Sequence, residues 1–217
     1  MADNQIWIEA RKRSVDNLQR FYAVVITLSA TELLKRLFCQ TAAGVHTPTS
    51  VEVFQLIGFF STLIPFYHGA IRYLDSTYIT GEREAKDYAL MFDFVALFIQ
   101  GIGFFVLAVY FNVPTVFYYV FISILGWDIL WVAITQLSSK SLISDDKSGF
   151  SKWIIVNLAC IVMVVICLLT PLIKDEARFY VIPMFLLLRT VADYWITWTF
   201  YFPPKGEVEN VVVVSPP

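Results

Sequence analysis

Charge is scarce in this chain. Only 16% of its 217 residues are Asp, Glu, Lys or Arg, while 58% are hydrophobic. A soluble domain carries about 25% charged residues, so the shortfall argues against an ordinary water-facing globule and points to a surface that meets lipid. Cysteine is limited to Cys39, Cys160 and Cys167. The last two stand seven apart in one apolar run, where they act as small hydrophobes. Neither a disulfide framework nor a paired-cysteine metal spacing is present, and no metal or other cofactor is expected. A net charge of −2 gives no electrostatic reason for a nucleic-acid partner. The first 20 residues are too polar for a signal peptide and lack a small-residue cleavage site, so none is expected.

What is present in quantity is apolar sequence cut into lengths of about 20 residues, the length that crosses a bilayer as a helix. The fold class expected is an all-α integral membrane protein, a bundle of about six transmembrane helices. The predicted spans are 20–38, 51–75, 87–110, 114–136, 152–173 and 178–202. Asn112 and Pro114 mark a tight turn, 138–151 a polar loop, and Pro203-Pro204 the end of the last helix. The first span is the weakest, because Glu32, Lys35 and Arg36 fall in its second half. Three segments follow: residues 1–19 as a cytoplasmic arm, amphipathic or disordered; 20–204 as the transmembrane domain; and 205–217 as a disordered cytoplasmic tail.

Lysine and arginine set the orientation. Six spans place Arg11, Lys12, Arg13, Arg20, Arg72, Arg83, Lys86, Lys140, Lys147, Lys152 and Lys205 on one side. Only Lys35, Arg36, Lys174 and Arg178 fall on the other, with Arg189 inside a helix. Both termini are therefore expected in the cytoplasm, and the protein in an inner or plasma membrane.

Ionisable groups within spans cost about 2.5–3.5 kcal/mol each on insertion scales and face a bundle interior by default. The second span carries Ser61, His68, Arg72 and Asp75 on one helical stripe, and Pro65 there frees a backbone carbonyl. The third carries Asp93 and Gln100, with Gly101 and Gly103 allowing close helix approach. The fourth carries Asp128 between Trp127 and Trp131. The sixth carries Arg189 and Asp193 at the spacing of an intrahelical pair. The fifth offers only Asn157 and is expected at the periphery. At 1.5 Å per residue, His68, Arg72, Asp75, Asp93, Asp128, Arg189 and Asp193 reach a similar depth. Together with Gln100 they form a candidate ion-binding or lining layer.

Such a layer suits a channel or transporter for protons or cations. His68 would be its pH-sensitive member, Asp93 and Asp128 its acidic lining, and Arg72 and Arg189 the residues that hold the carboxylates. The alternative is a non-catalytic membrane subunit whose charges set helix packing or bind a protein partner. A pore would favour a homo-oligomer, since six thin helices leave little room for one. Enzymatic readings find less ground. Asp93 follows Phe92 and Asp128 follows Gly126-Trp127, a pattern that resembles intramembrane aspartyl proteases in one respect, two aspartates on adjacent helices. That resemblance implies a shared-proton dyad. However, tryptophan precedes Asp128, no Pro-Ala-Leu element follows, and the spans are too few. No Gly-x-Ser-x-Gly elbow is present, and His46, in a loop, cannot pair with His68 around a haem.

Overall fold

The computed structural model describes residues 2–38, 46–80, 83–84, 88–138, 140–141, 147–170 and 175–203. Cys39 and the tail at 205–217 lie outside the described residues. Six long helices make up the described chain: α1 (Ala2–Phe38), α2 (Ser50–Leu74), α3 (Ala89–Val109), α4 (Pro114–Ser138), α5 (Lys147–Leu169) and α6 (Asp175–Ile196). A one-turn α7 (Trp198–Tyr201) follows. Five of them are long and apolar enough to cross a membrane, namely α2 with its extension, α3, α4, α5 and α6. Their limits lie within about six residues of the predicted spans, the largest difference being at the last, expected to run to 202 but ending at Ile196.

The first helix departs from expectation. The segment expected as a separate arm is continuous with the first predicted span, in one helix of 37 residues. No glycine or proline occurs before Gly44, so nothing breaks the backbone ladder. Val15, Leu18, Tyr22, Ile26, Leu33 and Leu37 recur at three, four and seven residues, and all are buried. The stripe that enters the core thus begins at Val15. Residues 8–14 are exposed on every side. Within 20–38, Phe21, Val24, Leu28, Leu34 and Phe38 are exposed and apolar. Glu32 accepts from Arg36 Nε at 2.7 Å, the intrahelical pair their spacing implies.

Helix α2 opens on a capping box. The Thr49 N–H donates to Glu52 Oε2 at 2.7 Å, and the Glu52 N–H to Thr49 Oγ1 at 3.3 Å. Its last turn widens into a π turn, Asp75–Ile79, closed by the Thr80 N–H on the Asp75 carbonyl. Both prolines inside helices leave a carbonyl four residues back without its usual donor, and a hydroxyl from another helix takes each one. Thr190 Oγ1 of α6 donates to the Ser61 carbonyl, freed by Pro65. Tyr118 of α4 donates to the Phe179 carbonyl, freed by Pro183, at 3.4 Å. This is how helix-breaking residues are tolerated where water is absent.

Packed neighbours run α1–α3–α4–α5–α6–α2 and back to α1, which closes a six-membered ring. Paired levels give the directions. Phe21 meets Phe94 and Tyr22 meets Gln100, so α1 and α3 are parallel. Trp127 meets Ala96 and Trp131 meets Asp93, so α3 and α4 are antiparallel. A two-residue antiparallel pairing of β1 (Arg83–Glu84) with β2 (Lys140–Ser141) places the α2–α3 and α4–α5 loops at the same end of the ring. Away from that end the interior is filled by Phe59, Phe104, Leu107, Phe111, Phe117, Tyr118 and Phe121, all fully buried. Edge-to-face contacts link Phe59 to Phe104 and Phe111 to Phe117.

Close approach depends on two glycines of α3. A Cβ on Gly103 would lie 2.9 Å from Ile124 of α4, and one on Gly101 would lie 2.6 Å from Val25 Cγ1 of α1. Valine is stiff at χ1, so Gly101→Ala pushes α1 away from α3, at an expected cost of about 1–3 kcal/mol. Thermal unfolding in detergent should show the loss, and adding Val25→Ala should recover most of it. A Gly101→Ala protein as stable as wild type would mean that α1 is not seated this tightly.

Candidate functional site

Two separate groups of polar side chains stand inside the ring. The first is centred on Asp93, which is almost completely buried on α3. Tyr73 and Tyr78 hydroxyls donate to its Oδ2 at 3.0 and 2.7 Å, and the Trp131 indole N–H donates to Oδ1 at 2.9 Å. The π turn makes this possible. Its i→i+5 pitch brings two tyrosines five residues apart onto one oxygen, which an α-helix would point some 140° apart at 100° per residue.

The second group crosses the ring at mid-depth. Tyr22 of α1 donates to Gln100 Oε1 at 2.7 Å, and Gln100 Nε2 donates to Asp128 Oδ1 at 3.2 Å. Asn157 Nδ2 of α5 donates to Asp128 Oδ2 at 2.6 Å. The Asn157 carbonyl oxygen in turn accepts from Arg189 Nε and Nη2 of α6, at 2.9 and 2.6 Å. Arg189 Nη1 lies 4.0 Å from Asp193 Oδ2 and has no hydrogen-bond partner among the described residues. Tyr201 closes the series with its hydroxyl 3.0 Å from the same oxygen of Asp193.

A cavity, part of it open to the exterior, adjoins this second group. Asp128, Arg189 and Asp193 stand at its inner end. Phe66 and Tyr73 of α2, Trp131 of α4, Phe150 and Trp153 of α5, and Tyr201 of α7 contribute aromatic walls. It extends along α4 toward Thr135 and along α5 toward Phe150, in the half of the ring that carries the paired loops.

Among the predicted layer residues, Gln100, Asp128, Arg189 and Asp193 are brought together. Asp93 belongs to the other group, held by donors that Asp128 does not share. The two aspartates therefore do not form the hydrogen-bonded dyad that an aspartyl protease would need. His68 lies in the seam between α2 and the end of α6, where Nδ1 meets the Tyr194 hydroxyl at 3.2 Å and the ring packs on Tyr201 and Phe202. Arg72 donates from Nε to the Phe200 carbonyl at 2.9 Å. Asp75 accepts from Gln19 of α1 at 2.8 Å. The stripe of His68, Arg72 and Asp75 thus meets neighbouring helices rather than the cavity.

Asn157 corrects the expectation for the fifth helix. It is not peripheral, because its one amide holds Asp128 and Arg189 at once. A single buried amide in an apolar run was the available signal. Tyr22, Tyr73, Trp153 and Tyr201 gave none, since aromatic residues are spread along the whole chain. No known protein family, curated protein or solved structure matches the chain.

Proposed function

We propose that the protein is a small carrier for cations or protons, built from six membrane-crossing helices with both termini in the cytoplasm. The observation that carries this reading is the partly open cavity, lined by Asp128, Arg189 and Asp193 among aromatic rings, with an aromatic plug filling the ring beyond it. Asp128 is the ion-holding group. Its oxygens accept only from the neutral amides of Gln100 and Asn157, and among the described residues no cation lies within ion-pair distance of it. A half-buried carboxylate so placed attracts a cation into the cavity.

Closure of the far half favours a carrier over an open pore, and a cavity inside one chain needs no oligomer. Two amides and a guanidinium break the chain of groups from Tyr22 to Tyr201, which argues against a simple proton wire, since such groups do not pass a proton on readily. The exposed Phe21, Val24, Leu28, Leu34 and Phe38 of α1 support its being the sixth span, with Thr27, Thr31 and Lys35 exposed among them. The eleven-to-four distribution of basic residues supports the orientation.

The test is flux through the purified protein in liposomes, with a pH-sensitive dye inside and a potassium gradient imposed. Asp128→Asn removes the charge and sets its new N–H₂ against the amide N–H₂ of Gln100 or Asn157, which leaves one donor unsatisfied. The expected result is therefore loss of flux counted per folded and inserted molecule. A second reading, a non-catalytic subunit, is favoured by the fully satisfied Asp93. Folded, inserted protein that carries no ion would decide for it.

A further inference from the structure

Which cation the site would take is written in the walls of the cavity. Three charged side chains line it, and they are not equivalent. Arg189 and Asp193 are four apart on α6 and offset one another at 4.0 Å. Asp128 has no such counterpart, so the lining as a whole carries one uncompensated negative charge. A hydrated metal ion would meet few oxygens here to replace its water, because calcium and magnesium take six or more oxygen ligands. Among the described residues no cluster of three acidic, histidine or cysteine groups could hold one.

The rest of the lining is aromatic. Trp131, Trp153, Phe150, Tyr73, Phe66 and Tyr201 come from four elements to one space. They also brace one another, with Tyr73 edge-on to Trp131 at 5.4 Å and Trp153 edge-on to Phe150 at 5.6 Å. The faces of such rings carry negative potential and bind cations that are poorly hydrated, above all alkylated ammonium groups. One of them already does so within the protein, where the Arg189 guanidinium lies 4.9 Å from the centre of the Phe66 ring.

We infer that the cavity is a binding site for a small organic ammonium ion with apolar or aromatic substituents, its charge held at Asp128 and its substituents against Trp131 and Trp153. This rests on the carrier reading of the same site and names its substrate class. Apolar substituents make the ion cheap to desolvate. The ring faces replace the water that Asp128 alone could not.

Benzyltrimethylammonium chloride is the probe, titrated into the full-length protein in detergent while tryptophan fluorescence is followed. The bulk-matched anion benzylsulfonate is the control. Saturable quenching by the cation and none by the sulfonate is expected. Asp128→Asn should weaken binding about tenfold or more, and Trp153→Leu about threefold to tenfold. Trp153 is only half-buried, so its replacement keeps the test open if Asp128→Asn fails to fold. Binding of the sulfonate instead would make Arg189 Nη1 the anchor and overturn the proposal. Quenching by the cation that neither variant alters would also overturn it, since the probe would then be entering detergent. Ammonium binding without uptake into liposomes would leave the site standing and remove the carrier. Cation or proton flux without ammonium binding would do the reverse.

Discussion

Replacing Arg189 with leucine should cost the folded protein about 3–5 kcal/mol, the usual penalty for removing one partner of a buried ionic group. Two things are stranded. The Asn157 carbonyl oxygen loses both of its donors, and Asp193 loses the cation beside it while remaining almost wholly buried. The interhelical hydrogen bonds alone are worth only about 0.6 kcal/mol each in a membrane setting, so most of the effect comes from the unpaired carboxylate. Arg189→Lys should be intermediate, because it restores the charge but cannot present two N–H groups to one oxygen. Adding Asp193→Leu to Arg189→Leu should recover part of the loss, since the orphaned charge goes with it. Unfolding midpoints in detergent measure all three. A double variant no more stable than the single one would show that Arg189 and Asp193 are not coupled.

That network was half legible in the sequence. The Arg189–Asp193 spacing announced a pair, but the single layer expected from charges on four helices resolves into separate groups, with Asp93 apart from Asp128. Pro65 also freed its carbonyl as expected, because the missing N–H is a local fact of covalent structure. What could not be read was which face of each helix looks inward. The stripe of His68, Arg72 and Asp75 has the regularity of an interior face, yet it meets α6, α7 and α1. The choice depends on the ring order of the helices, and that order is set by contacts between residues far apart in sequence, such as Gly101 with Val25. Helix limits were accessible for the opposite reason. Pro114 and the Thr49–Glu52 box act within a few residues. The continuity of α1 was accessible too, through the lack of glycine and proline before Gly44, but the charges at its start and end concealed it.

The difference between buried Asp93 and half-buried Asp128 can be drawn out by the same substitution at each. Asp93 uses both oxygens on three fixed donors and lies outside the cavity, whereas Asp128 stands at its inner end. In Asp93→Asn, the retained oxygen can keep both tyrosine hydroxyls, while the new amide N–H₂ is set against the Trp131 indole N–H. One donor is then left unsatisfied, at about 1–3 kcal/mol. Asp93→Leu strands all three and should cost more than about 3 kcal/mol, though short of three full penalties, because the tyrosines can shift toward other acceptors. Trp131→Phe in the Asp93→Asn background removes the conflicting donor and should restore stability despite the smaller ring. Flux should behave the other way. Counted per folded molecule, Asp93→Asn should leave transport near wild type and Asp128→Asn should abolish it. Flux lost equally in both, at equal amounts of inserted protein, would return Asp93 to the ion path and make its three donors part of the transport mechanism.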